Sequence, residues 1–120
     1  MLMLPPSVRV FVAGQPTDLR CGFDALAEAT RQVLRQDPFS GHLFVFFNRG
    51  RNRVKVLHWD RTGFWLSHKR LERGTFRIAW RTDGAAEMEA AELALILEGI
   101  ELAGALRRVR YRRPGVIFQP

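Results

Sequence analysis

The chain has 120 residues and a mass of 13.8 kDa, enough for one compact domain burying about two-thirds of its unfolded surface and too little for two. A single Cys, Cys21, excludes an intramolecular disulfide framework, and with three scattered His it excludes the common structural zinc patterns. The net charge is +7, and all but two of the 19 cations are Arg, the side chain suited to bidentate contacts with phosphate.

The charge is unevenly placed. Residues 1–48 hold four Arg and four acids, residues 49–81 hold ten basic and two acidic side chains, residues 82–106 hold six acids and no base, and residues 107–120 hold five Arg. Such a field favours a polyanion or an acidic protein surface as partner. The opening MLMLPPSVRVFVAG has no basic n-region and is broken by Pro5, Pro6 and Arg9, so neither a signal peptide nor a membrane span is expected, and a cytoplasmic location is.

Val8 to Ala13 alternate as a strand, ended by Gly14 to Thr17. Phe23, Leu26, Ala27, Thr30, Val33 and Leu34 form the stripe of an amphipathic helix running to about Arg35, with Thr17 or Asp18 available to cap it and Asp37, Pro38 and Gly41 to stop it. Leu43 to Phe47 and Arg53 to Trp59 read as a hairpin around NRGRN. Gly63 to Arg70 and Thr75 to Trp80 extend it as a meander. The aromatic content of these strands predicts helices covering one side of the sheet. Residues 87–100 place Leu93, Ile96, Leu97 and Ile100 on one helical stripe, expected to be core rather than a partner surface. The expectation is a single α+β domain over residues 1–106, an antiparallel sheet of about five strands packed against two amphipathic helices, followed by a basic extension at 107–120.

Three stretches, VRVFVAGQPTDLRCGFDAL at residues 8–26, QDPFSGHLFVFFNRGRNRVKVLHWDRTGFWLSHKRLERGTF at 36–76 and LILEGIEL at 95–102, together resemble the TnpB-type accessory proteins, the second open reading frame, of the sixty-sixth family of bacterial insertion sequences. The specific part is a TDxRxGFD turn followed by DPFSGHLFVF, a WDxxGFWL strand and a KRLERG turn. The resemblance implies a role in transposition beside a separate DDE-type transposase and a second small accessory protein, and it supplies no catalytic residues. Glu89 stands where relatives commonly carry a Thr helix cap, and the RRVRYRR tail is a basic variant of a divergent segment.

Asp18, Asp24, Asp60 and Asp83 could supply a nuclease's metal-binding carboxylates, but Asp18 and Asp24 stand at a helix start and Asp60 and Asp83 precede turn residues. His42, His58 and His68 have no adjacent nucleophile motif, Cys21 has no identifiable base, and Gly14, Gly22 and Gly41 form no phosphate-cradling fingerprint. No enzyme activity, cofactor, metal or small-molecule substrate is expected. The basic clusters are the candidates. Arg49, Arg51, Arg53 and Lys55 alternate around a hairpin whose ribbon could enter a DNA groove, or whose charges only protect a sheet edge. Lys69, Arg70 and Arg73 could extend that surface along a phosphate backbone or dock on an acidic transposase patch, with Glu72 between them as an ion-pair partner. Arg107, Arg108, Arg110, Arg112 and Arg113 around Tyr111 are the densest polyanion signal, equally readable as a solvated tail. The expected function is a non-catalytic accessory factor contacting element-end DNA, the transposase, or both. A metal-dependent nuclease of the same system and a pure protein-interaction module, supported by the acidic second helix, are the alternatives.

Overall fold

The computed structural model describes residues 7–99. Five strands, β1 (Val10–Ala13), β2 (Leu43–Phe47), β3 (Arg53–Trp59), β4 (Phe64–Arg70) and β5 (Ala85–Met88), form one sheet in the order β4-β3-β2-β1-β5, with helices α1 (Phe23–Gln32) and α2 (Ala90–Glu98). The α+β class and the five strands are as expected, but the sheet is mixed. β1 pairs with β2 in parallel, Val10 opposite Leu43 and Val12 opposite Val45, and every other pairing is antiparallel. The physical reason is α1, which carries the chain from the end of β1 back to the start of β2 as a crossover.

The helices lie on opposite faces, which corrects the expectation of cover on one side. Val10, Val12, Leu43, Val45, Phe47, Val54 and Val56 face a core completed by Leu93 and Ile96 of α2 and by Phe76. Phe11, Ala13, Phe44, Phe46 and Leu57 point the other way, onto Leu26 and Ala27 of α1 and onto Leu19 and Leu34. Both faces of β1 and β2 are therefore covered, and every residue of these two strands is buried.

Residues 75–80 are not a strand. Phe76, Ile78 and Trp80 alternate as a strand would, but they pack against the α2-side core, and the Phe76 N–H goes to the Arg51 carbonyl at 2.7 Å. The chain then passes Gly14, where Gly14 N–H bonds the Gly84 carbonyl and Arg81 N–H bonds the Gly14 carbonyl, each at 2.8 Å. A Cβ at Gly14 would stand 3.1 Å from Arg81 Cβ and 3.3 Å from backbone atoms of Arg81 and Gly84, so a larger residue would force this approach apart by a few tenths of an ångström. The fifth strand is instead Ala85–Met88, which lies antiparallel to β1.

α1 begins after Gly22 and has no side-chain cap. The expected cap Asp18 instead accepts from the Arg20 N–H at 3.0 Å and from the Arg20 guanidinium. α1 ends sooner than its stripe suggests, at Gln32, and Arg35 at φ 56° turns the chain away. α2 is capped by Glu89, with Glu92 completing a capping box, and Gly99 at φ 81° closes it. The stripe residues Leu93 and Ile96 are buried and Leu97 packs at their margin, while Ile100 lies outside the described residues.

Candidate nucleic-acid interface

Strand alternation and register decide which basic side chains meet. β3 and β4 run antiparallel with Arg53 opposite Arg70, Lys55 opposite His68, Leu57 opposite Leu66 and Trp59 opposite Phe64. All eight share the α1 face of the sheet, because Leu57 there is part of the α1-side core. That core is built on β1, β2 and Leu57, so Arg53, His68 and Arg70 remain exposed on the outer part of the face. Directly opposed side chains on one face have Cβ atoms about 4.5–5.5 Å apart. Two rows of cationic or protonatable groups therefore lie side by side. Lys55, half-buried, directs its Nζ to the Cys21 carbonyl at 3.0 Å, which ties the entry of α1 to the sheet. The His68 imidazole is held below its ordinary value, first by burial and then by the charges of Lys55, Arg53 and Arg70.

Beside these rows runs a groove of about 670 Å³ between the loop before α1 and the β2–β3 turn, lined among others by Thr17, Asp18, Arg20, Asn48, Arg49 and Arg53. The turn is rigid. Asn48 Oδ1 accepts the N–H groups of Asn52 and Arg53 at 3.0 Å each, and Asn48 Nδ2 donates to Asn52 Oδ1 at 2.7 Å. Thr17 N–H bonds the Phe47 carbonyl at 2.9 Å and fixes the opposite wall. Asp18, in a forked pair with Arg20, is lowered to about 2, chiefly by the hydrogen bonds from Arg20, and offsets that guanidinium's charge. Arg49 and Arg53 are left to set the sign of the groove.

At the far end of the same face the basic rows give way to aromatic rings. Phe39, 47% exposed, meets Trp59 edge-on at 4.9 Å and Phe64 at 5.2 Å, and Trp59 and Phe64 lie 5.0 Å apart. The Arg31 guanidinium stands 5.9 Å from the Phe39 ring.

The remaining sequence candidates are placed elsewhere. Arg51, at φ 56°, directs a guanidinium nitrogen to the Ile78 carbonyl at 3.4 Å and so serves the fold. Lys69 points to the α2 face, where its Nζ donates to the Leu97 carbonyl at 2.8 Å, a cation at the negative end of a helix. Arg70 also pairs with Glu72 at 3.1 Å, and Arg73 is exposed in the following turn. The hairpin tip is no free ribbon, since Asn52 and Arg51 carbonyls are bonded by Leu71 and Phe76. Arg107, Arg108, Arg110, Arg112 and Arg113 lie outside the described residues. His68, Arg20 and Phe39 join the site without having been singled out for it. Their signal was parity, since His68 and Arg70 share a face of β4, but the register to β3 had to be known first.

The carboxylates do not converge. Asp60 accepts from the N–H groups of Thr62 and Gly63 and from Trp65 Nε1 at 2.7 Å, and Asp83 pairs with Arg81 at 2.7 Å. Among the described residues no three His, Cys, Asp or Glu side chains gather as a metal site would require, and no helix is long and apolar enough to cross a membrane.

Fold and surface together define a small α+β protein with an open cationic sheet face and a basic groove at its side. Over residues 8–107 the chain matches the family described as "IS66 Orf2 like protein", and it belongs to that family of insertion-sequence proteins. It is similar to two proteins of Sinorhizobium fredii (strain NBRC 101917 / NGR234). One, "Uncharacterized protein y4hO", is 42% identical over 101 residues, covering 82% of this chain and 88% of the relative. The other, "Uncharacterized protein y4jC", is 35% identical over 114 residues, covering 93% and 97%. No solved structure matches the chain.

Proposed function

We propose that this chain is a non-catalytic accessory protein of transposition that holds the element's DNA by its phosphates on the β3–β4 face, while a separate transposase performs the chemistry. One observation carries the reading: Arg53 stands directly opposite Arg70 on an open sheet face. Like charges in directly opposed cross-strand positions destabilise a sheet. Glu72 offsets Arg70 alone and Lys55 serves the entry of α1, so Arg53 faces a cation across the ladder, an arrangement that a polyanion relieves. The family supports the context, and the local partners of Asp18, Asp60 and Asp83 support a binding rather than a hydrolytic role.

The test combines a binding assay and a transposition assay. The purified chain is expected to bind element-end DNA with an affinity that falls steeply with salt, and Arg53→Gln with Arg70→Gln to lower both that affinity and the transposition frequency of a marked element while the domain stays folded. Unchanged transposition in the folded double variant overturns the proposal. So does reproducible cleavage of the DNA with magnesium or manganese that is lost in Asp60→Asn or Asp18→Asn.

A further inference from the structure

The basic rows and the aromatic cluster stand on the same face of β3 and β4, with the buried Leu57 and the half-buried Leu66 between them, and what they share is the spacing of a strand. From the Trp59–Phe64 row to the Arg53–Arg70 row is six residues along β3, about 20 Å at about 3.3 Å per residue, with the Leu57–Leu66 and Lys55–His68 rows between. Cations stand at one end and ring faces at the other. In a duplex the base faces are stacked inside and only phosphates and base edges are offered, so the aromatic end would find no ring to stack on. A splayed single strand presents both phosphates for guanidinium groups and unstacked bases for rings. The surface also lacks what a duplex groove needs, because the hairpin tip is bonded down to Leu71 and Phe76 and does not project. Phe39 adds the last observation. It sits on Trp59 and Phe64 with 47% of its surface in solvent and with the Arg31 guanidinium 5.9 Å from its ring, so its own burial is incomplete and a base stacking there would meet a cation as well as a ring.

We infer that this face takes single-stranded DNA in preference to duplex, with phosphates on Arg53 and Arg70 and bases stacked at Phe39, Trp59 and Phe64. The inference rests on the DNA-binding reading above and names the form of DNA. A protein of this kind would engage element ends where strands are separated, during or after cleavage, and would hold the displaced strand without reading its sequence.

The experiment measures fluorescence anisotropy of a labelled 20-nucleotide strand from an element end, and of the same strand annealed to its complement, with the full-length chain at fixed salt. The expected result is at least tenfold tighter binding of the single strand. Phe39→Ala is expected to weaken single-strand binding by about fivefold or more and to leave duplex binding within about twofold. If Phe39→Ala lowers the melting temperature enough to compromise the assay, Phe39→Leu keeps the apolar bulk and removes the ring. Equal or tighter duplex binding, or single-strand binding that neither variant weakens, overturns this inference and leaves the accessory DNA-binding role standing. Absence of binding to either form overturns both.

Discussion

Arg53 offers a contrast between two energies that ordinarily move together. Its neighbour across the ladder is Arg70, so removing the charge at Arg53 relieves a repulsion and loses no ion pair seen in the structure. Arg53→Gln is therefore expected to leave thermal stability unchanged or raised by about 0.2–1 kcal/mol while weakening DNA binding, a combination that separates a residue kept for binding from one kept for folding. Loss of stability together with affinity would assign it to the fold. His68 carries a second consequence. Its imidazole and that of His42 are both held low, His68 by burial and by Lys55, Arg53 and Arg70, and His42 by burial and by Arg9 against an opposing pull from Glu87. Unfolding restores the ordinary value of about 6.5, so below that pH the unfolded chain binds more protons than the folded one. Stability is then complete above about pH 6.5 and declines as the pH falls through the window below it. The carboxylates act only further down, being lowered from already acidic values. His68→Gln is expected to flatten the melting temperature between about pH 7 and 5, and an unaltered slope would remove His68 from that account.

Among the elements, α2 makes the sharpest commitment. Ile96 is 3% exposed and faces Val and Phe side chains of the sheet, so Ile96→Asp places an unpaired carboxylate in an apolar layer at a cost of several kcal/mol, out of a domain stability of about 5–15 kcal/mol. The variant is expected to lose its cooperative melt, whereas Leu95→Asp on the exposed side should keep it. A folded Ile96→Asp would turn α2 into a partner surface. The stripe that places Ile96 was legible because helical spacing depends on the residues themselves. β2 was legible as an unbroken apolar run, β3 through alternation, and β4 through the turn residues that bound it. β5 was not, since Ala85, Ala86 and Glu87 have weak strand preference and are held extended by pairing with Val12 and Phe11. Phe76, Ile78 and Trp80 misled in the opposite sense, because alternation marks a segment lying on a core as readily as one within a sheet. The parallel pairing of β1 and β2 had a signal in the unbroken apolar runs VFVA and LFVFF, which the structure buries on both faces. For the site, Arg53 and Lys55 could be placed on one face from sequence, but their opposition to Arg70 and His68 depends on register, and the diversion of Lys69 to α2 depends on packing.

At the scale of the whole molecule the electrostatics are measured by salt. Each phosphate neutralised contributes about −0.7 to the slope of log affinity against log salt for a single strand and about −0.9 for a duplex. Replacing Arg53 and Arg70 together by Gln should therefore make the slope shallower by about 1.4 to 1.8, whatever the basic residues beyond position 106 add to its absolute value. A slope that does not change would place the phosphates elsewhere on the chain.

The position of β1 inside the sheet sets an order of assembly. Val12 is paired on one side with Val45, 33 residues along the chain, and on the other with Ala86, 74 residues along. The β2–β3–β4 hairpins close short loops and can form early, whereas β1 needs first the α1 crossover and then nearly the whole chain. Until residue 85 has been synthesised, Val10 to Ala13 present an apolar strand with one unpaired edge, the kind of surface on which chains associate. Fragments ending before Ala85 are accordingly expected to aggregate where the full chain remains monodisperse. The last strand of the sheet thus closes the edge that the first leaves open.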